Sequence, residues 1–371
     1  MLRQIRRAIL HLQRSSGVFR LIAESDWRKN RLLILCYHGI ARKDEHLWRP
    51  DLYMHPDVFR RRMEILKQGG YHVLALGESL ERLKAGNLPS KSVAITFDDG
   101  GYDLYAAAFP IIKSYGFPVT VYQTTYYGDH PVPIFNLAWS YLLWLKRGSV
   151  LTGGKAFGLE DLLDLRTEDS RAQIVRRLVL NAEAARLTGE QKNQLASQLA
   201  KFLSVSYEEI VASRIFQVMT PCERSQLAAE GVDFQLHTHR HRTPIDENLF
   251  CKEIQDNRRA LGELGGKAIH FCYPSGVYRP EFSDWLKKED VVSATTCDAG
   301  LADSGSNPFL LPRLVDTSAR TELEFEAWLS GAALLLTFRR AAAQVIPAAA
   351  GSASQVDNRT KSVPASGSRE D

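Results

Sequence analysis

Short apolar runs alternate with amphipathic stretches from Arg31 onward. The run LLILCYH (32–38) is brief, apolar and closed by Gly39, the pattern of a strand buried on both faces. Residues 57–69 then space Val58, Met63, Ile65 and Leu66 among charges and stop at Gly69-Gly70, which predicts a helix ended by glycine. Tyr71–Leu76 reads as strand, SVAITF (92–97) as a second buried strand, LYAAAFPIIKSYG (104–116) as a helix and PVTVYQT (118–124) as strand. The theme returns after residue 220: helical ERSQLAAEG, strand VDFQLHT, helical NLFCKEIQDNRRALGEL, strand AIHFCYP, helical EFSDWLKKE, strand SATTC. Alternating strands and helices predict a parallel sheet covered by helices, either a barrel or a doubly wound sheet.

Three stretches depart from this alternation. Residues 128–220 are almost wholly helical in pattern, as in RAQIVRRLVLNAEAARL and QKNQLASQLAKFL, and are expected to form a helical insertion, either decorative or a wall of the site. The tail 341–371 has no apolar periodicity and is expected to be disordered. Residues 1–30 form a basic amphipathic segment in which Ile5, Ala8, Ile9 and Leu12 share a helical face, with Arg3, Arg6, Arg7 and Arg14 beside it. That segment fits a helix packed on the domain or peripheral contact with an anionic membrane.

Charge and cysteine usage narrow the picture. A net charge of +4, without a basic stripe interleaved with aromatics, predicts no nucleic-acid partner. The five cysteines are scattered and never spaced C-x-x-C, which suits a reducing compartment. Arginines interrupt the amino-terminal apolar positions, so no secretory h-region is expected. The longest apolar run, Ala332–Phe338, falls well short of the ~18 residues of a membrane span. A cytoplasmic location, peripheral at the inner membrane face, is the expectation; oligomeric state is not legible.

Candidate chemistry collects at predicted strand ends. Thr96-Phe97-Asp98-Asp99-Gly100 places adjacent carboxylates after an apolar strand, where α/β sites sit. Asp98 and Asp99 would point to different sides, so that one binds a cation while the other accepts a proton. The same residues would also serve as a strand-to-helix turn with capping aspartates. Leu236-His237-Thr238-His239-Arg240-His241 concentrates three histidines in five positions. His237 and His241, four apart, would converge from one helical turn, a spacing compatible with zinc, and His239 would point elsewhere.

Together these segments resemble the polysaccharide deacetylases of carbohydrate esterase family four, whose motifs read T-F-D-D-G and H-[ST]-x-x-H. The resemblance covers roughly residues 32–315 apart from the insertion. It implies a (β/α)7-type distorted barrel of parallel strands with a helical insertion, spanning 31–340. It further implies Asp98 as catalytic base and Asp99, His237 and His241 as ligands of one divalent metal, Zn2+ with Co2+ or Ni2+ as alternatives. Tyr37-His38-Gly39-Ile40 is similar to the Y-H-x-[IV] strand end of a subgroup with rearranged barrel order, which implies His38 as general acid. Tyr37 would accompany it in substrate binding.

Phe271-Cys272-Tyr273-Pro274-Ser275-Gly276-Val277-Tyr278 resembles the family's late motif in its Y-P-x-G-x-Y form, with Cys272 where an arginine is common. Tyr273 and Tyr278 would stack on sugar. Leu311-Pro312-Arg313-Leu314 carries arginine where many members have histidine; Arg313 would contact substrate or orient Asp98. The implied activity is hydrolysis of an N-acetyl group on a polysaccharide, oligosaccharide or lipid-linked N-acetylhexosamine, with the Tyr102 N–H among the oxyanion donors. Two other classes fit the same residues: a non-catalytic glycan-binding member of the fold, and a deacylase of a non-sugar amide.

Overall fold

The computed structural model describes residues 2–336, so the tail expected from 341 lies outside the described residues. Among the described residues the sheet has eight strands; seven follow one another round the barrel, β1 Leu33–Tyr37, β2 Ser92–Phe97, β3 Thr120–Gln123, β4 Asp233–Leu236, β5 His270–Cys272, β6 Ser293–Thr295 and β7 Leu314–Val315, and the short strand His72–Val73 pairs with β2 off this path. Their order is β6-β5-β4-β3-β2-β1-β7, every pairing parallel, and the sheet curls through 247°. A parallel bridge between Thr295 and Leu311 spans the remaining gap beside β7. This is the seven-stranded distorted barrel that the motifs implied, with the first strand lodged between the second and the last.

Strand alternation sorts side chains into two layers. Leu33, Leu35, Val93, Ile95, Phe97 and Val121 join the core between sheet and helices, whereas Ile34, Ala94, Tyr122 and Cys272 pack together with Leu32 and Leu311 inside the barrel. The same parity carries Cys36, Thr96 and Asp98 inward and Tyr37 outward. The Asp98 N–H donates to the Tyr37 carbonyl at 2.9 Å, extending the β1–β2 ladder by one bond.

At the amino terminus, α1 (Leu2–Ser15) is held to the barrel by buried Leu10 and by an Arg14–Glu326 pair at 2.7 Å, while Ile9 and Leu12 remain exposed. The second expected helix is present as α2 (Pro56–Gln68). The expected strand at Tyr71–Leu76 is only His72–Val73; α3 (Leu76–Ala85) starts at once. Leu76, Leu80 and Leu83 recur at helical spacing, and Gly86 closes the helix at φ 69°.

Residues 128–220 contain helices Phe135–Leu145, Glu168–Ala184, Gly189–Phe202 and Tyr207–Ser213, together with an antiparallel hairpin of Val150–Thr152 and Leu162–Asp164. They build a separate apolar cluster that also takes in Ala41, Trp48 and Tyr53 from the loop after β1. The returning segment bridges Gly101 through Val218, with Tyr102 N–H donating to the Gln217 carbonyl (2.8 Å) and Met219 N–H to the Gly100 carbonyl (3.0 Å). The insertion is thereby bonded directly to the loop that carries Asp98 and Asp99. Among the described residues, no helix is long and apolar enough to cross a membrane.

Candidate active site

The strand ends bring Asp98, Asp99, His38, His237 and His241 to one mouth of the barrel. Asp98 ends β2 facing inward and is almost fully buried. A lone carboxylate there would be costly, and Arg313, also fully buried, meets it with two bonds, Nη1–Oδ1 at 2.7 Å and Nη2–Oδ2 at 2.8 Å. Arg313 is itself fixed by donating to the Thr296 carbonyl (2.9 Å) and Thr96 Oγ1 (3.2 Å). Burial alone would raise the Asp98 carboxyl, but the Arg313 charge and hydrogen bonds, helped by His38 and His237, outweigh it and hold the group well below the ordinary carboxylate range. The His38 Nε2 lies 3.8 Å from Asp98 Oδ2, and its side chain is 21% exposed, open to the mouth.

Asp99 leaves the strand through a left-handed conformation (φ 68°), followed by Gly100 at φ 72°. A Cβ on Gly100 would fall 2.0 Å from Gln123 Oε1, so the turn accepts only glycine. This bend aims Asp99 Oδ1 at His237 Nε2 (3.2 Å) and His241 Nε2 (3.1 Å). Burial disfavours the charged carboxylate, yet the two imidazoles reverse the sign and hold Asp99 well below its usual value. His241 is raised: burial would lower it, and Asp99 overcomes that.

The two histidines converge by a different route from the expected helical turn. Residues 237–242 are irregular, and left-handed backbone at Thr238 (φ 61°) and His241 (φ 54°) folds the loop back on itself. Tight packing on β4 and the helix α4 (Glu247–Gly262) replaces helical periodicity as the cause of convergence. The His237 Nδ1 bonds to the Cys272 carbonyl at 2.9 Å, which can only accept, and this turns Nε2 toward Asp99 as the ring atom that would ligate a cation. One carboxylate and two imidazoles, mutually within 4.8 Å, form a donor set suited to zinc or another borderline divalent ion with positions left for water and substrate. His239 turns away, its Nδ1 on Thr125 Oγ1 at 2.8 Å.

Several residues expected to touch substrate do something else. Tyr37 is 1% exposed and packs between Phe59 and Phe97, because strand parity turns it away from the barrel interior. Tyr273 is equally buried, its hydroxyl donating to the Phe309 carbonyl at 3.1 Å. Arg313 is sealed beneath Asp98 and acts on that carboxylate, not on substrate. The Tyr102 N–H is engaged by Gln217, which removes it as an oxyanion donor; the ring lies under the guanidiniums of Arg42 (4.9 Å) and Arg214 (3.7 Å). Tyr278 remains half-buried at the mouth, its hydroxyl donating to Asp298 at 3.0 Å.

Other residues were not singled out from sequence. Asn257 accepts the His237 N–H (2.9 Å) and donates to the Gln123 carbonyl (2.9 Å) and Thr125 Oγ1 (3.0 Å). It sits on the buried stripe Phe250, Ile254, Asn257, Leu261, so a polar residue on an apolar helical face was the available signal. Glu253 on the same helix accepts from Arg240 and Arg242 and steadies the histidine loop. Asp103 accepts the Ile40 N–H at 2.6 Å, joining the loops after β1 and β2, and burial pushes its carboxyl up to about 7.

Comparison with known proteins agrees with the fold. A family model described as polysaccharide deacetylase matches residues 85–179. Over those residues the chain is similar to the polysaccharide deacetylase family. A poly-beta-1,6-N-acetyl-D-glucosamine N-deacetylase of Escherichia coli is 28% identical over 99 residues, 26% of this chain and only 14% of that protein's length. The deacetylase PplD of Streptococcus pyogenes, solved in complex with acetate, shares the fold at a TM-score of 0.53 and 18% identity, covering 81% of this chain and 98% of that one. IcaB from Ammonifex degensii superposes at 0.50 and 18% identity, over 81% and 97%. At such identities the structural likeness speaks for the deacetylase-family fold.

Proposed function

We propose that this protein hydrolyses the N-acetyl group of an N-acetylhexosamine-containing glycan, releasing acetate and a free amine. The observation that carries the reading is the Arg313-held Asp98 with His38 at 3.8 Å, placed beside the Asp99–His237–His241 donor set. Asp99, His237 and His241 would hold one divalent ion, with zinc the first choice for this donor set. When bound, such an ion supplies Lewis-acid polarisation of the acetyl carbonyl and acidifies water.

The chain's own groups then divide the proton work. Asp98, kept ionised by Arg313, accepts the proton of the attacking water. His38, at the same mouth with its Nε2 toward Asp98, donates a proton to the departing nitrogen. Tyr278 at the rim offers a face for sugar. A pure binding module has no need of a base and an acid next to the cation set, which favours catalysis over the non-catalytic alternative.

The substrate class follows the matched relative, named for poly-beta-1,6-N-acetyl-D-glucosamine. A cytoplasmic site of action is part of the proposal, supported by five free cysteines, and contact of α1 with anionic lipid is supported by exposed Ile9 and Leu12 beside Arg7. Fractionation and vesicle co-sedimentation test these two points.

The deciding experiment is acetate release from N-acetylglucosamine oligomers by chelator-stripped protein resupplied with Zn2+, Co2+ or Ni2+, with Asp98→Asn alongside. Metal-restored release that Asp98→Asn lacks supports the deacetylase. Stoichiometric metal uptake without release from any oligomer overturns it in favour of binding or of another amide.

A further inference from the structure

Three of the five cysteines gather round Asp98. The sulfurs of Cys36 and Cys272 lie 3.5 and 3.4 Å from its Oδ2, and that of Cys297 lies 4.0 Å from Arg313 Nη2. The proposed hydrolysis uses none of these thiols. As packing they resemble small apolar side chains; as donors they add soft sulfur next to an imidazole and a carboxylate.

Cys36 Sγ, His38 Nε2 and an Asp98 oxygen lie within 4.8 Å of one another. Cys36 and His38 occupy alternate positions at the end of β1, so both face inward. Ligands bound tetrahedrally to one cation at about 2.0–2.3 Å stand about 3.3–3.8 Å apart. The Cys36–Asp98 and His38–Asp98 separations, 3.5 and 3.8 Å, already match that spacing. Cys36 is buried, but His38 opens to the mouth and gives an ion its path.

We propose that Cys36, His38 and Asp98 form a second cation site, separate from Asp99–His237–His241, that takes a soft divalent ion such as Cd2+ and thereby closes the site. Binding forms one sulfur–metal bond and releases the Cys36 proton to solvent, with no change of oxidation state. The closing effect rests on the roles proposed above for Asp98 and His38; the site itself does not. A competing set, Asp98, His237 and Cys272, is equally compact. There, however, His237 is already committed, through Nδ1 to the Cys272 carbonyl and through Nε2 to the Asp99 donor set.

The test is Cd2+ titration of the full chain by calorimetry and by the ultraviolet thiolate-to-cadmium charge-transfer band, with Cys222, Cys251 and Cys297 replaced by serine to silence the remaining thiols. The expected result is two ions per chain, one of them with the band. Cys36→Ser should lose that ion and the band, whereas Cys272→Ser and His241→Ala should keep the band. Circular dichroism checks that each variant is folded, and Cys36→Ala serves if the serine variant is not. A band that survives Cys36→Ser, or vanishes in Cys272→Ser instead, overturns the proposal, as does the lack of any band. If the band behaves as expected while no metal restores acetate release, the cation site stands and the deacetylase reading falls.

Discussion

Arg313 grips both oxygens of Asp98, at 2.7 and 2.8 Å, from a position where neither side chain reaches solvent. The pair explains how a carboxylate can stay ionised inside a barrel and why position 272 can be cysteine. The guanidinium enters from the segment before β7 rather than from the end of β5, and its Nη2 rests on the Cys272 sulfur at 3.0 Å. An arginine at 272 would compete for the same space.

Removing the guanidinium leaves a buried unpaired carboxylate, which costs roughly 3–5 kcal/mol when a buried pair is broken. Arg313→Met should therefore unfold at lower urea concentration. Burial would then raise the Asp98 carboxyl, so activity that needs its ionised form should be lost at higher pH on acidification than in wild type. The acid limb of kcat/KM measures this, and Arg313→Lys should move it less.

Asn257 reaches the metal set only through His237, whose N–H it accepts. Outer-shell partners of this kind are worth about 10–100-fold in metal affinity. Asn257→Leu should bind Zn2+ more weakly by that order while the ion still binds at one per chain, read by competition with a chelating dye. Unchanged affinity would restrict Asn257 to holding β3 and β4 together.

Gly100 is forced to be glycine twice, by its φ of 72° and by the Gln123 side chain. Gly100→Ala should cost about 1–3 kcal/mol in backbone strain and swing Asp99 off the histidines. The thermal midpoint should fall and metal binding should weaken together.

His270, 7% exposed at the start of β5, is held below its ordinary value by burial. The unfolded chain takes a proton near pH ~6.5 while the folded chain resists it, so the unfolded state binds more protons and stability falls as pH drops through that value. His270→Asn should flatten this part of the stability–pH curve. The difference between wild type and variant, by denaturant unfolding from pH 7.5 to 5.5, isolates the residue from the other histidines.

The amino-acid sequence by itself determined the strand-and-helix alternation and the clustering of carboxylates and histidines at strand ends. These rest on local periodicity and on contiguous motifs, which survive without knowledge of the fold. The helix at Leu76–Ala85 is absent from the strand-and-helix reading although its leucines recur at helical spacing, because a short apolar run is ambiguous between strand and helix. What only the tertiary structure decided concerns contacts between distant segments. Arg313 and Asp98 stand 215 positions apart and meet because β7 closes on β1. The fate of Tyr37 and Tyr273 as core residues, the capture of the Tyr102 N–H by the insertion, and the irregular loop that joins His237 to His241 have the same origin. Each depends on which neighbour the curled sheet supplies, and no one-dimensional pattern encodes that neighbour.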